Sequence, residues 1–154
     1  MISQKAKYAL RALIFLQRAA TERPLMIAEI SQREAIPKKF LEQILLELKR
    51  RGIVESRRGR HGGYALLRPA EKITFGEVLR LIDGPIAPLP CLSRTAYRRC
   101  ADCRDEQSCE IRRVFARVAA AERDVLDRTT LADAIASGDI EQFVGKAPSL
   151  EGVE

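Results

Sequence analysis

The sequence predicts a mainly α-helical protein that carries one small β-hairpin and continues into a long C-terminal helix. Aromatic residues make up only 5% of the 154 residues and Trp is absent. The core must therefore be built from Leu, Ile, Val and Ala, a composition that favours helices. Apolar residues recur every three or four positions along most of the chain. This helical period gives way to short extended segments around residues 53–67.

Three helices are predicted in the first third of the chain. The first ends before Pro24, because proline cannot continue a helix. The third is expected to begin with Pro37 at its first helical position, and its buried stripe should consist of Leu41, Ile44, Leu45 and Leu48. In order, the segments are a helix from Ser3, an extended piece at 25–26, a helix at 27–33, a turn at 35–37 and a helix at 37–51.

A β-hairpin is predicted after the third helix. Short extended segments at 53–56 and 64–67 flank a basic loop at 57–63. Three of the seven loop residues are glycine, which supplies the positive φ angles that a hairpin tip requires. We therefore expect residues 57–63 to form the tip of the hairpin.

A fourth helix completes the N-terminal domain. Thr74 and Glu77 match a capping box at its start, and Gly84 marks its end. A short helix, a tight turn and a second helix followed by a β-hairpin is the order of a winged helix-turn-helix. In that fold the second helix of the pair enters the major groove of DNA, and the hairpin, or wing, lies along the backbone or a minor groove. We assign residues 1–84 to such a DNA-binding domain.

Positive charge is concentrated on the two elements that this fold places on DNA. Residues 38–60 hold eight Lys and Arg against three Glu, which accounts for five of the chain's six net positive charges. A basic footprint on these elements predicts nucleic-acid binding. Gln43 can pair with adenine and Glu42 can accept from cytosine, so these two are candidates for reading bases. The predicted DNA contacts are Lys38, Lys39, Glu42 and Gln43 in the third helix and Arg57, Arg58, Arg60 and His61 in the wing.

The rest of the chain is predicted to hold a ligand loop and a dimerisation helix. Prolines exclude a helix just after Gly84. A long helix is expected from Asp105 to Asp127, and its apolar seam is too long for so small a domain to cover, although part of it should pack on the first helix. This predicts a homodimer. The seam consists of Ile111, Val114, Phe115, Val118, Ala121 and Val125. We divide this part into a cysteine-rich loop at 85–109, the long helix and a closing helix at 105–134, and a tail at 135–154 that is frayed from residue 145.

Two other classes of protein are not expected. No apolar run approaches the roughly 18 residues that span a bilayer, and the N-terminus has no small-residue cleavage site. These observations predict a soluble, cytoplasmic protein. His61 is the only histidine, and the chain offers no glycine-rich phosphate loop, Ser/His/Asp set or paired carboxylates, so an enzyme is not expected.

Four cysteines lie in the ligand loop with the spacing Cys-x8-Cys-x2-Cys-x5-Cys: Cys91, Cys100, Cys103 and Cys109. Structural disulfides are not expected in a reducing compartment. The spacing leaves three interpretations open, namely an iron–sulfur cluster, structural zinc and a thiol redox switch. Thiolates suit all three, and we expect the neighbouring arginines to lower the thiol pKa values; these are Arg94, Arg98, Arg99 and Arg104.

Motifs along nearly the whole chain resemble one known family. They are Lys7–Leu13 in the first helix, Ile27–Ser31 in the second, Pro37–Ile44 in the third, Arg57–Tyr64 in the wing, Cys103–Cys109 before the long helix and Thr130–Asp133 near its end. The Leu-Glu-Gln step and the Arg-Gly-x-x-Gly-Gly-Tyr wing are the most specific. On these motifs the chain resembles the winged-helix regulators that include IscR, NsrR and CymR.

The resemblance implies a homodimer that binds partly palindromic promoter DNA, and we expect this regulator to act as a repressor. It also implies that Cys91, Cys103 and Cys109 hold a 2Fe–2S or 4Fe–4S cluster that senses iron, redox state or nitric oxide. IscR has a histidine where this chain has Arg112, and some relatives use a carboxylate near the position of Lys7. Cys100 is the obvious substitute as fourth ligand. The alternative is a cluster-free regulator that responds through thiol oxidation, persulfidation or a protein partner.

Overall fold

Helices and one β-hairpin follow each other in the predicted order in the computed structural model, which describes residues 2–19 and 23–136. The helices are α1 (Gln4–Arg18), α2 (Ile27–Glu34), α3 (Lys38–Arg50), α4 (Phe75–Asp83), α5 (Glu110–Arg128) and α6 (Leu131–Ala136). The strands are β1 (Val54–Arg57) and β2 (Gly63–Leu66), and single 3-10 turns lie at Ala70–Lys72 and Pro90–Leu92. The mainly helical fold with a hairpin wing is confirmed.

The core surrounds α1, which packs against α2, α3, α4 and α6. Ala9 and Leu13 of α1 are completely buried. The predicted stripe of α3 is also completely buried: Leu41, Ile44, Leu45 and Leu48. Burying one such leucine or isoleucine contributes about 1.5–3 kcal/mol. These residues hold α3 against α1 and leave its opposite side in solvent.

Two helices begin later than the sequence indicates. Pro37 lies at the N-cap of α3 in an extended conformation (ψ 128°) and not at its first helical position. The long helix α5 begins at Glu110, five residues after Asp105. The Asp105 carboxylate accepts hydrogen bonds from the backbone N–H groups of Gln107 and Ser108 at 3.2 and 3.1 Å. This local turn competes with helix formation, so the helix starts only after it.

The strands of the wing pair antiparallel, with Val54 opposite Leu66 and Arg57 opposite Gly63. Each strand is shifted by one residue from the sequence expectation. The extended piece after α1 forms a further bridge, in which Leu25 pairs with Tyr64. Gly63 permits this bridge, because a Cβ on it would lie 2.3 Å from the Leu25 carbonyl oxygen and its φ is +146°.

The C-terminal end of α5 is fastened to the DNA-binding domain. Arg80 of α4 forms a 2.5 Å ion pair with Asp127. A bridge between Thr74 and Thr130 joins the chain before α4 to the chain after α5. Gly76 allows the close approach, since a Cβ there would lie 2.1 Å from an Asp127 carboxylate oxygen. The long helix thus packs mainly against α4, whereas the sequence placed part of its stripe on the first helix.

The far end of the chain departs from the predicted tail. Residues 135 and 136 belong to α6, and residues 137–154, including the frayed segment predicted from residue 145, lie outside the described residues. Among the residues described, no helix is both long and apolar enough to cross a membrane.

Candidate DNA-binding surface and cysteine cavity

The predicted base-reading residues lie on the open side of α3. Lys38, Lys39, Glu42 and Gln43 are all exposed, because the buried stripe occupies the opposite side of the helix. These side chains are free to reach a groove of DNA, where glutamine and glutamate can pair with base edges and lysines with phosphates.

Contacts on both flanks fix the orientation of α3. On one flank, Glu47 accepts from Lys5 Nζ at 2.6 Å, and Phe40 meets Tyr8 edge to face with ring centroids 6.4 Å apart. On the other flank, Lys49 Nζ donates to Ser56 Oγ of β1 at 2.5 Å. These contacts tie α3 to α1 on one side and to the wing on the other. The exposed face between them, called the open strip of α3 below, is therefore held in one orientation relative to α1 and the wing.

Two further residues lie on this open strip and were not among the predicted contacts. Leu46 and Arg50 are both exposed and share the strip with Gln43. The sequence pattern predicts four buried residues in α3 and does not include Leu46 among them. The signal for Leu46 was available in the helical period, because Leu46 falls outside the Leu41-Ile44-Leu45-Leu48 stripe.

Hydrogen bonds fix the start of α2, and a residue in the left-handed conformation ends it. Glu29 accepts from the backbone N–H of Met26 at 2.8 Å and from Arg23 Nη2 at 2.7 Å. The Arg23 hydrogen bond, followed by the Met26 one, lowers the pKa of Glu29 to about 2. Ala35 ends α2 with φ 49°, a left-handed conformation that costs a residue with a Cβ about 1–2 kcal/mol.

The four predicted contacts of the wing, Arg57, Arg58, Arg60 and His61, are exposed around its tip. A tight turn closes the hairpin, with the Gly62 N–H donating to the Gly59 carbonyl at 3.0 Å. Arg60 and His61 are the two central residues of this turn and therefore project furthest. Arg57 also pairs with Glu55 at 3.0 Å along its own strand.

The four cysteines line one cavity beside the N-terminus of α5. The cavity has a volume of about 490 Å³, and Cys91 at its edge is buried while Cys100, Cys103 and Cys109 are half-buried. Polar residues, among them Asp102 and Ser108, also line the cavity. Residues spread over a long irregular loop are therefore brought to a common space.

Hydrogen bonds shape the loop around the cavity. Arg99 donates to the carbonyl oxygens of Cys103 and Arg104 at 3.1 and 3.0 Å. Glu106 accepts from the Tyr97 hydroxyl at 2.5 Å, and its carbonyl oxygen accepts from Arg112 at 3.4 Å. Arg112, which stands where IscR has a histidine, is thus tied to the loop backbone.

The electrostatics of the cavity differ from the sequence expectation for Cys100. Its thiol pKa is raised, first by burial and then by hydrogen bonding to Cys91 and the charge of that group. Arg99 donates to backbone carbonyls and also faces a thiol, because the Cys103 side chain raises the pKa of Arg99, first by hydrogen bonding and then by its charge. Cys109 has a different environment, because it is the N-cap of α5. Its Sγ accepts a hydrogen bond from the Arg112 backbone N–H at 3.4 Å.

The described donor groups do not form a site for a single metal ion. Within residues 2–19 and 23–136, three or more His, Cys, Asp or Glu side chains do not converge closely enough to hold a single metal ion. Four cysteine sulfur atoms nevertheless line one cavity. Four cysteine thiolates are the usual ligands of an iron–sulfur cluster, which is larger than a single metal ion.

Comparisons with known proteins agree with this fold and surface. The family model for Rrf2, described as an iron-dependent transcriptional regulator, matches residues 2–137. A putative HTH-type transcriptional regulator, rrf2-like, from Rhodobacter capsulatus is 51% identical over 142 residues, covering 90% of this chain and 95% of that protein.

Two solved structures are also similar. CymR of Bacillus subtilis, described as the global cysteine regulator, superposes with a TM-score of 0.74 at 32% identity and covers 90% of this chain and 98% of its own. IscR of T. potens superposes with a TM-score of 0.69 at 25% identity, covering 96% of this chain and 93% of its own. The relatives are regulators and not enzymes, which confirms the sequence expectation. Together with the winged helix-turn-helix, these matches show that the chain belongs to the Rrf2 family of transcriptional regulators.

Proposed function

We propose that this regulator represses transcription in the cytoplasm as a homodimer, and that an iron–sulfur cluster in the cysteine cavity sets its affinity for promoter DNA. The observation that carries the proposal is the meeting of all four cysteines of the chain at one cavity, next to the start of α5. The DNA surface, the dimer helix and the cavity each contribute one part of the mechanism.

The exposed residues of α3 and of the wing form the proposed DNA surface. Lys38 and Lys39 flank the major-groove side of α3, and Arg58 and Arg60 extend from the wing tip. Arginine and lysine contacts to phosphates provide most of the affinity, while Gln43 provides part of the base selection.

The outer face of α5 forms the proposed dimer interface. Five of its large apolar side chains are between 40% and 62% exposed: Ile111, Val114, Phe115, Val118 and Val125. The inner face, with Ala119 buried, packs on the chain's own domain. A continuous apolar stripe of this kind is stabilised by a matching stripe, and a two-fold axis supplies one.

A cluster suits the cavity better than zinc does. A zinc ion requires four ligands about 2.0–2.3 Å from one point, which brings their sulfur atoms close together. Structural zinc sites also show two pairs of cysteines that are close in sequence, whereas only Cys100 and Cys103 form such a pair here. A cluster is several atoms across, so its thiolate ligands stand further apart. We assign Cys91, Cys103 and Cys109 as ligands and Cys100 as the fourth, with two or four irons.

The cavity is suited to influence DNA binding through α5. When bound, the cluster supplies a group whose integrity and charge respond to iron, oxidants or nitric oxide. Cys109 caps the first turn of α5, whereas Asp127 near its last turn pairs with Arg80 of the DNA-binding domain. Ligation of a cluster by these thiolates would order the loop and would thereby set the angle of α5. In a homodimer that angle sets the spacing of the two α3 helices.

Anaerobic purification tests the cluster. We expect brown protein with iron and acid-labile sulfide, whose affinity for a selected DNA duplex differs from that of the apo form. Replacing Cys91, Cys103 or Cys109 by Ala should abolish the absorbance, and Cys100→Ala should do so if Cys100 is the fourth ligand. The matched control is Ser108→Ala, which alters the same cavity without removing a thiol. Colourless anaerobic protein with stoichiometric zinc would contradict the cluster.

A cluster-free thiol switch is the second candidate, and one contact favours it. Cys91 and Cys100 line the same cavity, and Cys91 adds to the effect of burial in raising the pKa of the Cys100 thiol, so the two thiols face each other there. Peroxide would oxidise them to a disulfide, with loss of two protons and two electrons to the oxidant and reduction of the peroxide to water. Mass spectrometry of colourless protein before and after peroxide, with dithiothreitol reversal, distinguishes the candidates. A reversible Cys91–Cys100 bond that changes DNA affinity would support this second function.

A further inference from the structure

Leu46 stands out on the open strip of α3. It is 47% exposed, although leucine in a helix of a small domain is usually buried. It lies roughly 150° around the helix from the centre of the buried stripe, at 3.6 residues per turn. A depression of about 480 Å³ borders it, lined also by Gln43, Glu47, Arg50 and Arg51.

The neighbours of Leu46 indicate what it faces. Lys39, Gln43 and Arg50 share the outward strip with it, and all three are exposed polar or cationic side chains. Phe40 lies instead on the flank, over Tyr8. Leu46 is therefore a single apolar side chain among side chains that donate hydrogen bonds. A site for docking another protein would need a contiguous apolar patch.

The chemistry of a major groove matches this arrangement. Lysine and arginine contact phosphates and glutamine pairs with adenine, but a leucine side chain can donate and accept nothing. The apolar group that the major groove offers is the C5-methyl of thymine, which lies on the groove edge of each A·T pair. Gln43 and Leu46 are three residues apart on one helix face, so they can reach neighbouring base pairs.

We propose that Leu46 is a specificity-determining residue that recognises a thymine C5-methyl group in the promoter, next to the base read by Gln43. The proposal rests on the proposed function, because it requires α3 to lie in the major groove. Removing one methyl from an apolar contact weakens binding by about fourfold, and a dimer experiences the loss once in each half-site.

The test uses a duplex that the wild-type protein selects from a random-sequence pool. Each thymine of the selected site is replaced in turn by uracil, which removes the methyl group and keeps the base pair. We expect a thymine in each half-site at which uracil weakens wild-type binding by about fourfold. Leu46→Ala removes the contact in both half-sites at once, so it should weaken binding to the thymine duplex by about sixteenfold, and it should not distinguish uracil from thymine at that position.

Leu67→Ala is the matched control, because Leu67 is a similarly exposed leucine (53%) that lies outside α3. It should keep the full sensitivity to uracil. If Leu46→Ala binds as tightly as wild type, or remains as sensitive to uracil, the inference is overturned while DNA binding by α3 stands. If the wild-type protein selects no sequence at all, the proposed function fails and this inference fails with it.

Discussion

Replacing Val118 by aspartate should separate the proposed dimer into monomers. Val118 is 48% exposed in the middle of the outer stripe of α5. Burying that exposed half in the interface stabilises the dimer by about 0.7 kcal/mol per subunit. An aspartate placed there loses this contribution and buries an unpaired carboxylate, which costs at least about 2 kcal/mol more.

Two copies of each change meet in the dimer, so the total is about 5 kcal/mol. This corresponds to a dissociation constant raised by three to four orders of magnitude, since about 1.4 kcal/mol is a factor of ten. Sedimentation velocity across nanomolar to micromolar concentrations measures this shift directly. Operator affinity should fall in parallel, because one monomer presents only one α3 to the half-sites.

Ala120→Asp is the matched control for Val118→Asp. Ala120 is exposed on the same helix and lies on the side away from the stripe, so a charge there should leave the dimer intact. Circular dichroism of both variants checks that α5 remains folded. A folded Val118→Asp protein that dimerises as tightly as the parent would refute the interface, as would a parent that is monomeric at micromolar concentration.

Four other substitutions test the DNA surface and the two ends of α2. Gln43→Ala should cost about 1–3 kcal/mol at particular bases, whereas Arg60→Ala should weaken binding to all sequences and reduce the salt slope by about 1; equal base profiles in a binding titration would contradict these roles. Ala35→Gly should raise the free energy of unfolding by about 0.5 kcal/mol in urea titrations, because φ 49° strains alanine but not glycine, and a decrease would contradict this. Because the pKa of Glu29 is lowered to about 2, its contribution to stability is present above about pH 4.5 and is lost as the pH falls towards 2. Glu29→Gln should therefore flatten the acid dependence of urea unfolding, and an unchanged pH profile would contradict the assignment.

The helices of the DNA-binding domain illustrate what a sequence pattern can predict. The stripe of α3 was identified residue by residue, because burial of every third or fourth side chain follows from the helical repeat alone. The hairpin tip was also identified, because the glycines at 59, 62 and 63 favour a turn wherever the rest of the chain lies.

The start of α5 illustrates what a pattern misses. The sequence analysis places the start of the long helix near Asp105, yet the Asp105 carboxylate closes a local turn that delays the helix to Glu110. The capping-box motif at Thr74 is satisfied in only one direction for a similar reason. Thr74 accepts from the Glu77 N–H at 3.2 Å, but the Glu77 carboxylate pairs with Arg68 at 2.6 Å. The sequence pattern allows either start for α5 and either partner for Glu77. In both cases the hydrogen bond that actually forms selects one of the two.

The sequence by itself determined the helical class, the winged helix-turn-helix order and the basic footprint on α3 and the wing. These depend on period, turn residues and charge, which are properties of short stretches of chain. Only the tertiary structure decided that the cysteines line one cavity and that α5 packs its inner face on α4. These depend on which surfaces meet after the chain folds back on itself. A one-dimensional pattern records which side chains are apolar, and the packing of the elements decides which of them remain in contact with water.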